Sequence, residues 1–405
     1  MLSSLALSTA TAAVGMAAFR RKEVRHRRRM GDLSVNVHVN GIRGKSTVTR
    51  MLGGVLRESG VSTIAKTTGT YACVIDPDAG EHPILRTGPA DIAEQYRFLA
   101  EWLDGGVEAL VVECMAVKPR YQALCQDVIL RSPVSVITNV RLDHQDEMGH
   151  TLGDITRSLC NTVPTGGVLV TGERDPELLA IMREHCGRRG SRLVVAEENA
   201  RSRNLVSLFP YRQFEENVAV VLAVAGELGI DEATAVRGML TAAPDPGTTR
   251  VTRVGDGRTA PFYWVPMFAV NDWESTVRIF HDVTAELPTC RRVVALNNRS
   301  DRTDRAAMFV DLVARELIDE VDRIVLFGDI QEVVRQKLLG AGVPAGMIAL
   351  TQDIEDGQAL VDRARAGFDG EVAIFGMVNI HTDHVTAMEG YVSSLVEQDR
   401  EVAAA

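Results

Sequence analysis

The octapeptide Asn40-Gly41-Ile42-Arg43-Gly44-Lys45-Ser46-Thr47 gathers residue types that together can hold a nucleotide's phosphates. Glycines let main-chain N–H groups converge on an anion, and the first turn of a helix adds the positive end of its dipole. Lys45 would reach the terminal phosphates, and the Ser46 hydroxyl would ligate Mg²⁺. One feature departs from the general phosphate loop. Its first glycine should stand five residues before the second, where this chain has Val39, so the spacing is the shorter G-x-x-G-K-S. Two further groups can do chemistry. Glu113 closes the apolar run Ala109-Leu110-Val111-Val112, and a buried carboxylate needs a cation, for which Mg²⁺ is the natural partner. His144 closes the polar segment that begins at Thr138. Taken alone, Glu113 reads as an ordinary strand-end glutamate and His144 as a structural histidine. A shared sheet edge with the phosphate loop points instead to metal or phosphate.

The elements that must position these groups are legible on either side. Val35 to Val39 alternates as a strand, and Val48, Met51, Leu52 and Val55 recur at helical spacing up to Gly60. Ser62 to Ala65 reads as a strand that leads into the loop Lys66-Thr67-Thr68-Gly69-Thr70. Glu81 to Pro89 reads as a loop containing Arg86, and Ala90 to Leu103 as a helix. The runs 109–113, 134–140, 168–171 and 192–196 are expected to be buried parallel strands. Helices are expected over Asn217 to Leu228 and Asp231 to Leu240. Pro244-Asp245-Pro246-Gly247 then breaks the chain. Beyond it the βα rhythm resumes, with strands expected at 262–270, 292–296, 323–327 and 372–375. The loops Asn271-Asp272-Trp273-Glu274-Ser275-Thr276 and Asn297-Asn298-Arg299-Ser300-Asp301-Arg302, the latter followed by Asp304 and Arg305, would lie at the carboxyl edge of a second sheet. The fold class is therefore α/β. The expected domains are 1–30, an N-terminal segment; 31–245, a nucleotide-binding domain; and 246–405, a smaller Rossmann-like domain.

Composition narrows the function. A chain of 405 residues with 45% hydrophobic content can bury two or three cores. The net charge is −10, but Arg20 to Arg29 carries seven Lys/Arg against one Glu, a local +6 that leaves −16 on the rest. An acidic body argues against nucleic acid as a partner. Six cysteines without a C-x-x-C pair are expected to be reduced. Residues 2–19 are uncharged and precede the basic cluster. About 18 residues is the lower limit of a spanning helix, and positive charge on its far side would place the body in the cytoplasm. The expectation is an N-terminal apolar helix at the cell membrane, on its cytoplasmic face.

Several motifs carry a resemblance: Asn-Gly-Ile-Arg-Gly-Lys-Ser-Thr, Lys66-Thr-Thr-Gly-Thr, Glu113-Cys114-Met115-Ala116-Val117, Asn139-Val-x-x-Asp143-His144 with Met148-Gly149, and Pro244-Asp-Pro-Gly. From about residue 34 to residue 385 the chain resembles the ATP-dependent ligase subunit of poly-γ-glutamate synthases, within the Mur ligase and folylpolyglutamate synthase superfamily. The short phosphate loop is that superfamily's form. The resemblance implies ADP-forming amide ligation with ATP and Mg²⁺, through an acyl phosphate. It also implies glutamate and the growing chain as substrates, and integral-membrane partner subunits; a homo-oligomer is open. By resemblance, Gly41, Arg43, Gly44, Lys45, Ser46 and Thr47 would hold phosphate, and Ser46, Glu113 and His144 would hold magnesium. Lys45, Glu113 and His144 would be catalytic. Asn217 would match the adenine-recognising asparagine, and Arg250 the junction arginine that reaches phosphate. Arg299 and Arg302 would hold the incoming amino acid's carboxylate, because an Arg fork matches a carboxylate. No segment for a UDP-linked precursor stands before the phosphate loop, which argues against a cell-wall nucleotide substrate. Met267 replaces the acidic residue that would meet the ribose, and no lysine here is marked as carbamylated. Two alternatives stay open from the residues alone: a cytosolic amino-acid ligase of folylpolyglutamate or Mur type, and a regulatory P-loop ATPase.

Overall fold

The computed structural model describes residues 16–404 except 18, 19, 70, 87, 89, 104, 105, 246, 247, 256, 258, 259, 269, 271 and 381. The chain divides into two compact units, residues 1–209 with 213–245, and residues 210–212 with 246–405.

The first unit is built on eight strands: β1 Val35–Asn40, β2 Thr63–Thr67, β3 Cys73–Ile75, β4 Glu81–Pro83, β5 Ala109–Glu113, β6 Val134–Ile137, β7 Val168–Thr171 and β8 Arg192–Val195. They lie in the order β4-β3-β2-β5-β1-β6-β7-β8. The pairs from β2 through β8 are parallel, while β3 and β4 fold back antiparallel. The run over Glu81 to Pro89 expected as a loop therefore begins with an edge strand. Three residues ending in proline carry no apolar period, and an edge position tolerates proline because one side needs no ladder partner.

The centre of this sheet is covered on both faces, as parallel sheets are. β1 alternates apolar and polar residues, yet its polar teeth are buried too. Asn36 donates to Leu130 O at 2.7 Å, His38 Nδ1 lies 2.8 Å from Gln126 Oε1, and Asn40 donates to Gln122 Oε1 at 3.0 Å. All three partners belong to the helical segment that runs from Pro119 to Leu130 and ends in a π turn. Each of the three side chains thus recovers one hydrogen bond that water would have supplied, while Asn36 Oδ1 and His38 Nε2 are buried without a partner among the described residues.

Ahead of β1, residues 20–31 form a helix. Met30 enters the core beside Phe98 and Leu99, His26 Nε2 lies 2.7 Å from Ile129 O, and the Lys and Arg side chains stay exposed. The apolar segment 2–19 lies, apart from Met16 and Ala17, outside the described residues. No helix among the described residues is long and apolar enough to cross a membrane.

The second unit holds β9 Thr252–Val254, β10 Phe262–Pro266, β11 Arg291–Asn298, β12 Arg323–Gly328, β13 Ile348–Leu350 and β14 Val372–Val378, ordered β13-β12-β11-β14-β10-β9. Only the β9 edge runs antiparallel among these pairs. β14, last in sequence, inserts between β10 and β11, with Val293, Val325, Val372 and Ile374 in the core.

One buried ion cluster ties the first sheet to a helix. Lys66 of β2 is fully buried and donates to Glu94 Oε1 at 2.8 Å. Glu94 stands in the first turn of the helix Ala93–Trp102. Burial works against the Glu94 carboxylate, but hydrogen bonds from Arg86 and Lys66 outweigh it and hold the group at about 2. Breaking such a pair strands a buried charge, so Glu94→Gln is expected to cost about 3–5 kcal/mol at neutral pH in chemical denaturation. A depressed folded-state pKa stabilises fully above the ordinary 4.5 and ceases to as pH falls to about 2. The gap between wild type and variant should therefore narrow across that window.

Candidate active site

The site begins with the turn out of β1. Gly41 and Gly44 both take positive φ, 126° and 78°, which residues with a Cβ rarely adopt. A Cβ on Gly41 would stand 2.0 Å from Thr138 Oγ1, and one on Gly44 would stand 2.2 Å from Asn217 Oδ1. Only glycine fits either place. The helix Lys45–Glu58 that follows has no side-chain cap and no acidic residue in its first turn. Its first N–H groups are therefore left for an outside acceptor, at the positive end of the dipole.

The loop is braced from β6 and beyond. Thr138 Oγ1 donates to Arg43 O at 2.6 Å, and Arg43 N donates to Asn139 Oδ1 at 3.0 Å. The Arg43 guanidinium lies 3.1 Å from Asp143 Oδ2. Lys45 folds back over its own loop, donating to the carbonyls of Gly41 at 2.9 Å and Ile42 at 3.1 Å. Loss of water pushes its pKa down, against the attraction of Glu113. An arriving polyphosphate would relieve that cost and offer stronger acceptors than the two carbonyls. Thr47 is half-buried in the same first turn.

Glu113 is the other pole. It ends β5 with 2% exposure, and its Oε2 accepts from Ser46 Oγ and from Thr68 N, each at 2.8 Å. Gly69 lets the Thr68 loop close over the pair, since a Cβ there would stand 2.9 Å from Ser46 Oγ. A hard cation fits this donor set: a serine hydroxyl and a carboxylate beside a phosphate cradle. Among the described residues no three His, Cys, Asp or Glu side chains converge as a metal cluster. A magnesium ion that keeps waters and substrate phosphates in its shell does not need one.

His144 begins the short helix Gln145–Met148 in a left-handed conformation, φ 49°. Its half-exposed ring lies 3.9 Å from Asp143 Oδ2. Partial loss of water lowers its pKa, opposed by Asp143 and aided by repulsion from Lys45 and Arg43. His144 therefore stands in the field of the phosphate-loop cations, while Ser46 and Glu113 touch directly.

Sequence reasoning treated Asp245 only as part of a chain break. Its carboxyl lies at the Ser46 and Glu113 pair: burial and repulsion from Glu113 raise its pKa to about 6, while Arg50 and a hydrogen bond from Ser46 lower it. The Pro-flanked aspartate was the available signal. Asn217 is buried beneath Gly44, its Nδ2 donating to Gln213 Oε1 at 3.1 Å.

Arg250 belongs to the second unit and is exposed. In that unit the carboxyl edge gathers Asn297, Asn379 and Thr382: Thr382 Oγ1 donates to Asn297 Oδ1 at 2.7 Å, and Asn379 Nδ2 to Asn297 O at 3.1 Å. Val378 beside them takes φ 87°, a strained value for a β-branched residue. Arg299 spends its fork on Asp301, at 2.9 and 2.8 Å, and Arg302 is exposed. The arginine that reaches this polar edge is Arg305, whose Nη1 lies 3.1 Å from Asn379 Oδ1.

Comparison with known proteins bears on the family and the fold. Residues 39–230 match the Mur ligase middle domain, and residues 251–394 match the C-terminal domain of poly-gamma-glutamate synthase CapB. The chain is 42% identical over 288 residues to the capsule biosynthesis protein CapB of Bacillus anthracis, covering 70% of this chain and 61% of that protein. It is 35% identical over 362 residues to the PGA synthase CapB of Bacillus subtilis, covering 88% and 90%. The bifunctional folylpolyglutamate synthase/dihydrofolate synthase of Yersinia pestis, complexed with AMPPNP and manganese, superposes with a TM-score of 0.62 at 14% identity over 92% of each chain. The folylpolyglutamate synthase of Mycobacterium tuberculosis, complexed with ADP and AMPPCP, superposes with 0.61 at 15% identity over 92% and 98%. At such identities the likeness concerns the fold alone.

The cradle itself can be tested. Gly44→Ala is expected to weaken nucleotide binding at least about tenfold, because the methyl group meets Asn217 and the left-handed backbone is disfavoured by roughly 1–2 kcal/mol. Titration with a fluorescent ATP analogue checks it.

Proposed function

The chain belongs to the CapB family of poly-γ-glutamate synthases, and from that premise we propose that it is an ATP- and Mg²⁺-dependent amide ligase that lengthens a γ-linked glutamate chain. One observation carries the reading: a buried carboxylate, Glu113, shares the Ser46 hydroxyl at the uncapped start of the phosphate-loop helix. The AMPPNP and manganese bound by the Yersinia pestis structure support the same cosubstrate and a divalent ion.

The chain's own residues have these tasks. The free N–H groups of the first helical turn bind the nucleotide's phosphates. Lys45 moves its charge from the Gly41 and Ile42 carbonyls to the β- and γ-phosphates. Ser46 and Glu113 would hold magnesium, which neutralises phosphate charge when bound, and the Thr68 N–H keeps Glu113 turned toward it. Arg43 adds positive field on the same side, and His144, whose lowered pKa favours the neutral ring, offers a ring nitrogen there. The terminal γ-carboxylate of the growing chain attacks the γ-phosphorus, ADP leaves, and an acyl phosphate forms. The amine of an incoming glutamate then attacks the acyl carbon, loses a proton, and expels inorganic phosphate. The second unit supplies that glutamate, and its Asn297, Asn379 and Arg305 edge is the place the polar groups favour for it. The fork of Arg299 is free for that role only if it leaves Asp301.

A chain primer carrying ¹⁸O in its terminal carboxylates tests the chemistry. Label is expected in released inorganic phosphate, with ADP as coproduct; label in AMP would mean adenylation and sink the reading. Lys45→Ala should abolish ADP formation while keeping the melting temperature, because losing such a phosphate contact costs roughly several kcal/mol in the transition state.

Location and partners complete the proposal. A polyanionic product has to leave the cell, which calls for integral-membrane partner subunits. The uncharged segment 2–19 and the seven exposed or adjoining basic residues of 20–29 form a two-part anchor at the cytoplasmic face. Deleting residues 1–19, which leaves His26 and Met30 in their packing, should shift the protein from membranes to the soluble fraction while nucleotide affinity stays the same. Fractionation in cells without partner subunits checks it, and a truncated protein that remains on membranes refutes the anchor.

A further inference from the structure

The ion cluster at Lys66 holds more positive charge than its burial requires. Lys66 and Glu94 already satisfy each other at 2.8 Å. Arg86 nevertheless joins from the segment after β4, donating from Nε to Glu94 Oε2 at 2.8 Å and from Nη2 to Oε1 at 3.1 Å. The result is two cations on one carboxylate, inside a body that is acidic overall. Arg86 grips Glu94 by one edge of its guanidinium. Nη1, on the other edge, has no hydrogen-bond partner among the described residues, and the side chain keeps 25% exposure.

The cluster also has a definite place. Lys66 is level with Val112, the residue before Glu113, in the β2–β5 ladder. Two residues after Lys66, Thr68 N holds the Glu113 carboxylate. Gln95, next to Glu94, donates to the Glu113 main-chain carbonyl at 3.5 Å. Gln95 is fully buried, and its Oε1 has no partner among the described residues. A guanidinium edge and an unused amide oxygen therefore stand at the end of β5 that carries the phosphate-loop carboxylate.

We propose that Arg86, held rigid by Glu94 and Lys66, binds the α-carboxylate of the growing chain's terminal glutamate and so presents its γ-carboxylate for phosphorylation. The inference rests on the ligase reading above. Chemistry supplies the need: the terminal residue of a γ-linked chain carries two free carboxylates, and only one of them may be activated. A fixed cation for the α group decides which. The guanidinium fork matches a carboxylate, and the grip of Glu94 means that little side-chain freedom is lost on binding.

The test uses purified protein with ATP, Mg²⁺, glutamate and a synthetic γ-linked glutamate tetramer, ending either in the free α-carboxylate or in the α-carboxamide. ADP release and the linkage of the product are read. Wild type should prefer the free acid by at least about tenfold in kcat/KM, the scale of one charge-assisted contact. Arg86→Ala should raise the tetramer KM about tenfold, leave the KM for ATP within about twofold, and erase the preference for the acid. Arg86→Lys, which keeps the charge toward Glu94 without the fork, should fold as wild type and lie between the two. If both variants keep the wild-type tetramer KM and the acid preference, Arg86 is a structural ion only and the inference is overturned. If wild type forms no ADP with either tetramer, the ligase reading falls and takes the inference with it.

Discussion

Glu113 is a carboxylate almost removed from water, and the first unit is arranged around making that tolerable. A buried carboxylate without partners would take up a proton or unfold its surroundings. Here the Ser46 hydroxyl and the Thr68 N–H both point at one of its oxygens. Those two donors come from different strand ends, β1 through its phosphate loop and β2 through its loop, so the carboxylate fastens three consecutive positions of the sheet edge. The parallel order β2-β5-β1 is what brings the three ends level. The same arrangement that stabilises the anion leaves its remaining valence for a cation beside the phosphates.

Charge around that point is graded. Lys45 and Arg43 lie on the phosphate side, with Asp143 pairing Arg43 and His144 near by. Asp245 adds a second carboxylate whose pKa rises to about 6, chiefly through loss of water. On the far side of Glu113, Lys66 and Arg86 converge on Glu94. The edge therefore alternates in sign over a short distance within a chain of net charge −10. An anionic nucleotide and an anionic acceptor can approach such an edge, because Arg43, Lys66 and Arg86 are held by carboxylates before either arrives and Lys45 has only to turn from its own loop's carbonyls to the phosphates.

Rigidity is distributed accordingly. Gly41 and Gly44 bring the loop within side-chain contact of Thr138 and Asn217, so its conformation is set by neighbours and not by its own sequence alone. The polar teeth of β1 lock into the helical segment Pro119–Leu130 behind it. Strain in the second unit sits at Val378, beside the Asn297 and Asn379 pair. In both units, polar and strained groups concentrate at carboxyl edges and the apolar strands lie beneath them.

Local sequence determined a good deal. The strand, glycine turn and Lys-Ser pair named the phosphate loop, because a cradle for anions is a local device built from consecutive N–H groups and one helix start. The apolar run 109–113 named β5 to the residue, because burial on both faces writes itself as an unbroken hydrophobic string. What the sequence left undecided depended on contacts far apart in the chain. β3 and β4 are too short to carry a period, and only pairing with β2 makes them strands. Asp245 looked like punctuation until the fold set it beside Ser46, about two hundred positions away. Arg299 and Arg305 have the same chemistry in the sequence, and the neighbours Asp301 and Asn379 gave one an exposed ion pair and the other a place at a buried edge. Arg86 read as one charge in a loop, and the packing of the helix Ala93–Trp102 against β2 made it part of a cluster. Type and spacing fix what a local segment can do; the partner that a long-range side chain meets is fixed by packing, which no single stretch of sequence contains.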